Sequence, residues 1–526
     1  MTSRQEALWG RAGQELIYNS KILITGLTNA GVEAIKTAAM LGVGKIYLID
    51  ESKNKGFFLD NQLNENENTA VQLENIVNGL KFESGDTLET VKVEAFAEEF
   101  FNNEKLIENL KPDAIFDFTG DLSSQTQAIE YGISLAQEQA VDVFLGDCDG
   151  FAFTLNHYSA NSEDVAEDIA IEKEIEDFED EEQGVIMSHM LGSIAIEHFR
   201  KNLFIRNNDL LANAQEAKEQ EDERNSYQEA GEFKDSISYS TLKHPSAYAA
   251  KKKFKNSPQA KTELSEFDLN LSGKKFLVCG CGAIGNPVAD MLVRSGASRI
   301  DLIDYDHIES HNIERQPFYC GRIDELKAEV LCEKIKKIAE QQGTPIECNA
   351  LVGKVCDEIK EEKEKQSFDK EWFKSQDYDI VFGCFDGPIA RETLNEYAAE
   401  IGFKYIDGGS QIRMAKVTAF IPGKTSCLDC TMRVKFEADA ARLNEEHRRI
   451  HSCTGNAEIV PSVNTSNRIA AALMVAEASK ILNSNDYEFF SGFIEYNATS
   501  RSTDTICTKR PERTCDLCKN DNTDGP

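Results

Sequence analysis

The sequence predicts an α/β protein built from two doubly wound units, and two observations support this prediction. In both halves of the 526-residue chain, short apolar runs alternate with segments of helix length. In addition, Lys21 to Asp50 aligns without a gap on Lys275 to Asp304, at an offset of 254 residues. Gly26, Gly31, Gly42 and Asp50 then fall on Gly280, Gly285, Gly296 and Asp304. A repeat of this length indicates a duplicated domain.

The first unit is expected to occupy residues 1–160. Residues 20–26 and 45–51 read as strands, and the segment between them has helix length and ends at Gly42. Residues 113–119 and 141–147 are expected to add strands, with a helix over 125–139 between them.

Residues 161–204 are expected to form an acidic insert followed by a helix. Between Glu163 and Glu182 there are twelve acidic residues and one lysine. Such a run is typical of a solvated surface, and a docking surface for a basic partner is the alternative. Met187 to Phe204 reads as helical. Residues 205–270 are polar and are expected to form a linker, helical or partly disordered.

The second unit is expected over residues 271–426, where the strand, helix, strand pattern restarts. Residues 379–385 and 403–408 read as its later strands. Residues 427–526 have a mixed pattern and contain two CxxC pairs, Cys427 with Cys430 and Cys515 with Cys518. Four thiolates suit a closed tetrahedral Zn²⁺ site, so we expect a structural zinc ion that staples this region.

The composition limits the classes of partner. The formal net charge of −34 disfavours nucleic acid and anionic membranes as partners, because both select basic surfaces. No apolar run approaches the roughly 20 residues that span a bilayer, and the N-terminus lacks the apolar core of a signal peptide. A cytoplasmic protein without nucleic-acid or membrane partners is therefore expected.

A glycine-rich loop predicts a nucleotide site in the second unit. Gly280, Gly282 and Gly285 form GxGxxG directly after an apolar strand and before a helix, which lets phosphate approach the backbone and the helix N-terminus. Asp304 follows 19 residues after Gly285 and is placed to accept hydrogen bonds from a ribose. This motif alone would predict a dinucleotide-dependent oxidoreductase.

The residues beyond Asp304 favour a triphosphate instead. They supply cations and amides that an oxidoreductase does not need, whereas Arg and Lys neutralise phosphate. Asp386 ends a predicted strand, where a carboxylate could hold Mg²⁺. Taken one at a time, each of these residues could equally form a salt bridge or a cap. The set comprises Asp306, Asn312, Arg315, Gln316, Lys327 and Asp386.

The ordered runs GCGAIG, DLIDYDHIESHNIERQ, LKAEV and FDGPIARETLN resemble the ubiquitin-activating superfamily, which includes the ThiF-type adenylyltransferases. The resemblance implies Rossmann-like units and MgATP-dependent adenylation of the C-terminal glycine of a ubiquitin-like protein. It implies that Asp304 binds ribose, that Asp386 binds Mg²⁺ and that Arg391 supports the site. Phosphate contacts are implied for Asn312, Arg315, Gln316 and Lys327. One departure is Asp324, three residues before the lysine, where the family usually has glycine.

The repeat indicates that the first unit has lost this chemistry. Thr28 replaces Gly282, Asn61 replaces Arg315 and Leu73 replaces Lys327, while Asp386 falls on or beside Gly120. A β-branched side chain in the loop obstructs phosphate, and the cations are gone. We therefore expect the first unit not to bind ATP.

The N-terminal segment resembles the RQ…G..GQ segment of the family, whose arginine reaches across a dimer axis to the partner's ATP. The resemblance implies that Arg4 acts as an arginine finger in the site of the second unit; a disordered terminal arginine is the alternative. The two units would thus form a pseudo-dimer with one ATP site.

Cys453 is the candidate nucleophile. It follows Arg448, Arg449 and His451 and precedes a long helical run over 465–482. Cations and a helix N-terminus lower a thiol's pKa, and Cys453 lies where single-domain family members carry a thioester cysteine. A small, partly buried thiol is the alternative.

The expected function is therefore activation of a ubiquitin-like protein by adenylation, followed by a thioester on Cys453 and transfer to a conjugating enzyme. The alternatives are adenylation for sulfur transfer or peptide modification, an NAD-dependent oxidoreductase, and a non-catalytic scaffold that binds a modifier.

Overall fold

The computed structural model of the protein describes the chain in separate segments. They are residues 6–80, 91–136, 139–148, 152–159, 184–207, 235–240, 271–356, 366–411, 414–441, 463–483, 491–497, 502–507, 515 and 517–518. In this part of the chain, none of the helices has the length and apolar character needed to cross a bilayer.

The first half forms a seven-stranded sheet in the described part of the chain. Its spatial order is β5-β2-β1-β6-β7-β8-β9, parallel from β5 to β7 and antiparallel from β7 to β9. The strands are β1 Lys21–Thr25, β2 Lys45–Ile49, β5 Lys92–Phe96, β6 Ala114–Asp117, β7 Asp142–Cys148, β8 Ala152–Ser159 and β9 Asp235–Ser240. A separate hairpin consists of β3 Gly56–Phe58 and β4 Asn61–Leu63. Strand β9 lies inside the segment that was expected to be a linker, so the first sheet extends further along the chain than predicted.

The helices of the first half begin and end at recognisable signals. Helix α2 ends at Gly42, which has a φ of +89° and donates its N–H to Ala38. Helix α5 begins after Asp121, whose carboxylate accepts the N–H of Ser124. The helices are α1 Glu6–Asn19, α2 Asn29–Leu41, α3 Thr69–Gly79, α4 Glu104–Leu110, α5 Leu122–Leu135 and α6 Val185–Arg206.

The second half repeats this arrangement in a nine-stranded sheet within the described residues. Its order is β13-β12-β11-β10-β14-β15-β16-β17-β18, parallel from β13 to β15 and antiparallel beyond. The strands are β10 Lys275–Cys279, β11 Arg299–Asp304, β12 Glu347–Val355, β13 Gln366–Phe368, β14 Ile380–Gly383, β15 Tyr405–Gln411, β16 Met414–Phe420, β17 Gly492–Asn497 and β18 Ser502–Cys507. The predicted α/β class with largely parallel sheets is confirmed.

The register of the central strands reproduces the repeat in three dimensions. In the first sheet Ile22 pairs with Ile46 and Ala114, and in the second sheet Phe276 pairs with Ile300 and Ile380. Both central strands have four consecutive buried residues, as expected for a parallel strand that is covered on both faces. The helices of the second half are α7 Gly285–Arg294, α8 Lys327–Gln342, α9 Lys370–Lys374, α10 Pro388–Ile401, α11 Leu428–Met432 and α12 Asn464–Asn483.

Four helices bring the two halves together. Helices α2 and α6 of the first half pack against α7 and α12 of the second, and one continuous apolar core includes residues of both halves. The β3–β4 hairpin adds polar contacts, because Arg294 donates to the carbonyls of Phe57 and Leu59 at 3.2 and 2.9 Å. The GxGxxG loop of the second half therefore precedes a helix, α7, that the first half contacts directly.

Candidate functional site

The GxGxxG loop of the second half is held by close backbone packing. Gly280 has a φ of +96°, and a Cβ there would lie 2.6 Å from the carbonyl oxygen of Cys384. A Cβ on Gly285 would lie 1.9 Å from the carbonyl oxygen of Gly280. By contrast, a Cβ on Gly282 would meet nothing closer than the Gln316 Nε2 atom at 3.9 Å. Gly280 and Gly285 are required by the fold, whereas Gly282 keeps space open in front of the loop.

Asp304, at the end of β11, ties this loop to the neighbouring strand. Its carboxylate accepts the N–H of Cys281 at 2.7 Å and the N–H of Asp306 at 2.8 Å. Burial raises the pKa of Asp304, and the charge of Lys327 and these two N–H groups oppose the shift. Asp304, the predicted ribose ligand, thus also stabilises the conformation of the loop through hydrogen bonds.

Lys327 is the first residue of α8, and its side chain is almost fully buried. Its Nζ atom lies 3.0 Å from a carboxylate oxygen of Asp306. A lysine buried beside one half-exposed acid can exchange that partner for a phosphate oxygen without moving far. The Lys327 ammonium group is therefore positioned at the N-terminal end of α8, where a phosphate could replace Asp306 as its partner.

The other predicted phosphate residues lie on a 3₁₀ helix, Ser310–Arg315, and just after it. Asn312, Arg315 and Gln316 are all buried. The Asn312 side chain accepts the N–H of Glu309 at 3.0 Å and so fixes the start of this helix. The Gln316 Oε1 atom is buried and has no hydrogen-bond partner among the residues that the structure describes. The Nε2 atom of the same side chain lies 3.9 Å from the place that a Cβ on Gly282 would take, so Gln316 faces the loop.

Asp386 lies at the carboxyl end of β14 and is exposed, which suits a cation ligand. Arg391 organises the backbone around it. The Arg391 guanidinium donates to the carbonyl oxygens of Phe385 at 2.7 Å and Gly408 at 3.1 Å, and to Asp407 at 3.1 Å. Burial raises the pKa of Asp407, and the Arg391 charge opposes this shift. Arg391 therefore links the segment that follows β14 to the middle of β15.

Two features near the GxGxxG loop became apparent only in the structure. The Tyr319 hydroxyl donates to the Cys281 carbonyl at 2.7 Å beneath the glycine loop, a contact that no motif indicated. Asp324, which replaces the glycine of the resembled family, has a φ of +69°. Aspartate tolerates this left-handed conformation better than most residues, so the turn before Lys327 keeps a glycine-like geometry.

The corresponding loop of the first half has the same skeleton. Asp50 accepts the N–H of Leu27 at 2.7 Å and of Ser52 at 2.6 Å, as Asp304 does with its two N–H groups. Gly26 has a φ of +69°, and a Cβ on Gly31 would lie 2.3 Å from the Gly26 carbonyl oxygen. The duplicated geometry therefore extends beyond the glycines to the aspartate.

The polar lining of the first loop is different. The Thr28 hydroxyl occupies the Gly282 position and donates to the Phe118 carbonyl at 3.2 Å. The strand register makes Gly120 of the first half the equivalent of Asp386 in the second half. Ala114 and Ile380 occupy equivalent positions beside the two central strands, and each lies six residues before the glycine or the aspartate. Asn61 lies in the β3–β4 hairpin, and Leu73 is buried in α3. The first loop thus has a hydroxyl in its open position and has Gly120 where the second half has Asp386.

The two CxxC pairs come together in the structure. Cys427 Sγ lies 3.7 Å from Cys515 Sγ, and Cys430 Sγ lies 3.6 Å from Cys518 Sγ. All four Sγ atoms lie within 4.8 Å of one another. Zn–S bonds of about 2.3 Å give sulfur separations of about 3.8 Å in a tetrahedron, so the cluster fits a Zn²⁺ ion.

The N-terminal motif has structural roles in its described part. Gly10 has a φ of +69°, which kinks α1, and Gly13 packs directly on the buried Trp9 ring. Gln14 accepts the Trp9 indole N–H at 3.0 Å and donates to the Leu41 carbonyl at 3.2 Å. Arg4 and Cys453 both lie outside the described residues, so their predicted roles stay predictions.

Comparison with known proteins agrees with this geometry. Residues 260–517 match the model of the ThiF family. The chain is 23% identical to adenylyltransferase and sulfurtransferase UBA4 of Yarrowia lipolytica, over 48% of this chain and 57% of the relative. It is 31% identical to SUMO-activating enzyme subunit 2 of Dictyostelium discoideum, over 30% of this chain and 22% of the relative. Residues 260–517 therefore form a ThiF-family domain. The resemblance expected from the sequence is confirmed.

Further similarities cover parts of other proteins. Ubiquitin-like modifier-activating enzyme 5 of Dictyostelium discoideum is 24% identical over 41% of this chain and 57% of the relative. The chain thus spans less than two thirds of the length of each of these curated relatives. A crystal structure of E. coli MccB with ATP aligns with a TM-score of 0.37 and 20% identity, covering 63% of this chain and 90% of that chain.

Proposed function

We propose that this ThiF-superfamily protein activates a ubiquitin-like protein by ATP-dependent adenylation of its C-terminal carboxylate. The observation that carries the proposal is the contrast between the two glycine loops. Both loops keep the same skeleton, but only the second is lined by an open glycine, Gln316, Lys327 and a strand-end acid, Asp386. This lining is what a triphosphate and a divalent cation need, and an oxidoreductase would not need it.

ATP binding follows from these residues. The N–H groups at the start of α7 and the Gln316 amide meet the phosphates, and Arg315 and Lys327 supply positive charge. Asp304 accepts hydrogen bonds from the ribose hydroxyls, with Asp306 and Asn312 ordering the adjacent backbone. Asp386 holds Mg²⁺, which when bound neutralises the charge of the leaving pyrophosphate.

The proposed reaction has two steps. A carboxylate oxygen of the modifier attacks the α-phosphorus of ATP, the bond to the β-phosphate oxygen breaks, and pyrophosphate leaves as the acyl adenylate forms. The Cys453 thiolate then attacks the acyl carbon and displaces AMP, which leaves a thioester on the protein. The thioester passes to a conjugating enzyme.

The proposed arrangement is a pseudo-dimer with one active site. The first unit, residues 1–160, supplies Arg4 as a positive group at the transferring phosphates of the second unit. The contacts of α2 and α6 with α7 and α12 support this arrangement. The second unit is residues 271–426, and the region 427–526 is stapled by zinc on Cys427, Cys430, Cys515 and Cys518. Residues 161–270 connect the two units in sequence, and within this stretch helix α6 and strand β9 belong to the first half.

One experiment tests the proposed function. The protein is incubated with MgATP, labelled pyrophosphate and a panel of small ubiquitin-like modifiers that end in glycine. We expect modifier-dependent exchange of pyrophosphate into ATP and a covalent modifier adduct that dithiothreitol removes. The adduct should be lost in Cys453→Ala, and Cys453→Ser should give an adduct that resists dithiothreitol.

Each other outcome has a defined meaning. Exchange without an adduct would favour adenylation for sulfur transfer or peptide modification, a reading that the name of the Yarrowia lipolytica relative also supports. An adduct that persists in Cys453→Ala would contradict the assigned nucleophile. If Arg4→Ala leaves the exchange rate unchanged, the arginine finger is wrong.

A further inference from the structure

The first turn of α12 contacts the first half of the protein through buried polar groups. The Asn464 Nδ2 atom donates to the Thr37 carbonyl at 3.2 Å, and the Thr465 hydroxyl donates to Glu197 at 2.6 Å. These two acceptors belong to α2 and α6 of the first half. The first turn of α12 is therefore hydrogen-bonded to α2 and α6 of the first half.

Arg468, one turn further along α12, makes the charged part of this contact. Its Nη2 atom donates to a Glu33 carboxylate oxygen in α2, and its Nε atom lies 3.3 Å from the Ser193 hydroxyl in α6. Glu33 and Arg468 are 3% and 5% exposed, so neither charge is compensated by bulk water. A buried ion pair is sensitive to the loss of either partner.

The surrounding charges show that this cluster is an ion network. The His189 Nε2 atom lies 3.3 Å from Glu33 and 3.3 Å from Asp290, a geometry that could in principle accept a metal ion. Two carboxylates are already outnumbered by three fixed cations, and a divalent ion would add to this excess of buried positive charge. The three cations are Lys36, Arg294 and Arg468.

The opposite side of the same helical turn contacts the end of β15. The Ser410 hydroxyl donates to the Asn467 side-chain oxygen, next to Arg468 in the sequence. A Cβ on Gly408 would lie 2.1 Å from the Met474 sulfur, so the helix rests closely on this strand. Helix α12 is therefore in direct contact with β15 at Gly408 and Ser410.

From β15 the link continues to the strand-end acid. Arg391 joins the Gly408 carbonyl to the Phe385 carbonyl, and Phe385 directly precedes Asp386. A Cβ on Gly409 would lie 2.8 Å from the Arg391 guanidinium, which shows how closely that side chain is confined. A chain of contacts thus runs from Glu33 to Asp386.

We propose that Arg468 is a positioning residue through which the first half sets the geometry of Asp386 in the second half. Through Asn467, Ser410 and Arg391, its anchoring on Glu33 holds β15 and the segment after β14 where Asp386 can bind Mg²⁺. The inference rests on the proposed role of Asp386. It assigns the first half a function that is separate from the Arg4 finger.

The test measures ATP affinity of the full chain with Mg²⁺ and with excess EDTA, by isothermal titration. In Arg468→Met we expect the affinity for MgATP to fall at least tenfold, while the affinity for ATP in EDTA changes less than twofold. Arg468→Lys should recover part of the Mg²⁺-dependent affinity, because the charge is kept. Ser410→Ala breaks the other end of the link and should reduce the same ratio by a smaller factor.

Lys480→Met is the matched control, because Lys480 is a buried cation at the far end of α12 that pairs with Glu477 at 2.6 Å. It should lower the melting temperature but keep the ratio of the two affinities. Equal ratios in Arg468→Met, Ser410→Ala and wild type would overturn the inference, and Ser410→Ala decides alone where Arg468→Met does not fold. A wild-type protein that gains no affinity from Mg²⁺ would instead overturn the role of Asp386, and the inference with it.

Discussion

The two glycine loops of this protein share one skeleton and differ in what faces the ligand. In each, a glycine with positive φ ends the central strand, a second glycine packs on its carbonyl, and an aspartate accepts two backbone N–H groups. The loops differ at the open position, which is Thr28 in the first half and Gly282 in the second, and after the neighbouring strand, where Gly120 corresponds to Asp386. The shared glycines and aspartate maintain the backbone of each loop. The positions that differ are those where we propose that phosphate and Mg²⁺ bind.

The aspartates show why such a comparison needs the structure. Asp304 is predicted to be a ribose ligand, yet Asp50 makes the equivalent hydrogen bonds in a half that has Leu73 and Gly120 at the positions of Lys327 and Asp386. In both halves the aspartate carboxylate therefore stabilises the turn through its hydrogen bonds to backbone N–H groups. Its presence alone does not identify a nucleotide site.

The largest effect is expected when the open position of the second loop is converted to that of the first. Gly282→Thr should reduce pyrophosphate exchange by at least about 1,000-fold, because a β-branched side chain occupies the space of the phosphates. The melting temperature should stay nearly unchanged, since the nearest atom is 3.9 Å from the added Cβ. Thr28→Gly is the matched control and should leave exchange as in wild type. Substantial exchange by Gly282→Thr would contradict the comparison.

Metal removal should destabilise only the second half. Chelation of zinc, or Cys427→Ser, should lower the melting temperature of the C-terminal region by about 5–10 °C, because a closed thiolate site contributes several kcal/mol to folding. Zinc content by elemental analysis should fall from one ion per chain to none. Cys356→Ser, which removes a thiol outside the cluster, is the control and should retain the ion. Unchanged stability after complete zinc loss would remove the proposed staple.

Converting the strand-end acid tests the second difference between the loops. Asp386→Gly, which reproduces Gly120, should slow exchange about 100-fold, equivalent to about 2.7 kcal/mol, because the charge of the pyrophosphate loses its counter-ion. Raising the Mg²⁺ concentration should recover part of the rate. Asp377→Asn, which removes an exposed acid paired with Lys275, should have no effect on the exchange rate. A full rate in Asp386→Gly would place the cation elsewhere.

The smallest effect concerns the interface between the halves. Burial raises the pKa of Glu33, but the charges of His189, Lys36 and Arg468 outweigh burial and lower it to about 2. The resulting stabilisation is present above the ordinary glutamate pKa and is lost as the pH falls from about 4.5 to about 2. At pH 3 about 2 kcal/mol should be lost relative to neutral pH.

Thermal unfolding between pH 2 and 7 measures this effect. Glu33→Gln should be less stable at neutral pH and should lack this part of the acid dependence. Glu325→Gln is the control, because its pair with Arg322 is exposed and solvent screens such pairs. A Glu33→Gln variant with the acid dependence of wild type would show that another carboxylate is responsible.

Local patterns in the sequence were sufficient for the duplicated fold and for placing Gln316 and Lys327 near the second loop. The repeat, the glycines and the polar series from Asp306 to Lys327 are all close in sequence, so spacing alone indicates their arrangement. The Asp324 departure was visible in the sequence, but only its φ of +69° shows that the turn is kept.

The contacts between the halves could not be predicted in the same way. Arg468 and Glu33 are 435 residues apart, and neither belongs to a motif or a periodic pattern. Strand β9 was missed because Asp235–Ser240 lies in a long polar stretch, where pairing with β8 outweighs composition. Contacts between residues that are distant in sequence depend on how the whole fold packs. The spacing of residues within a local motif does not reveal them.

The most direct test of the central claim is the number of MgATP sites per chain. Equilibrium titration of the full chain with MgATP should give one site per chain in wild type and in Thr28→Gly, and none in Gly282→Thr. Two sites per chain, or binding that survives in Gly282→Thr and is lost in Thr28→Gly, would contradict the account of one active and one inactive half.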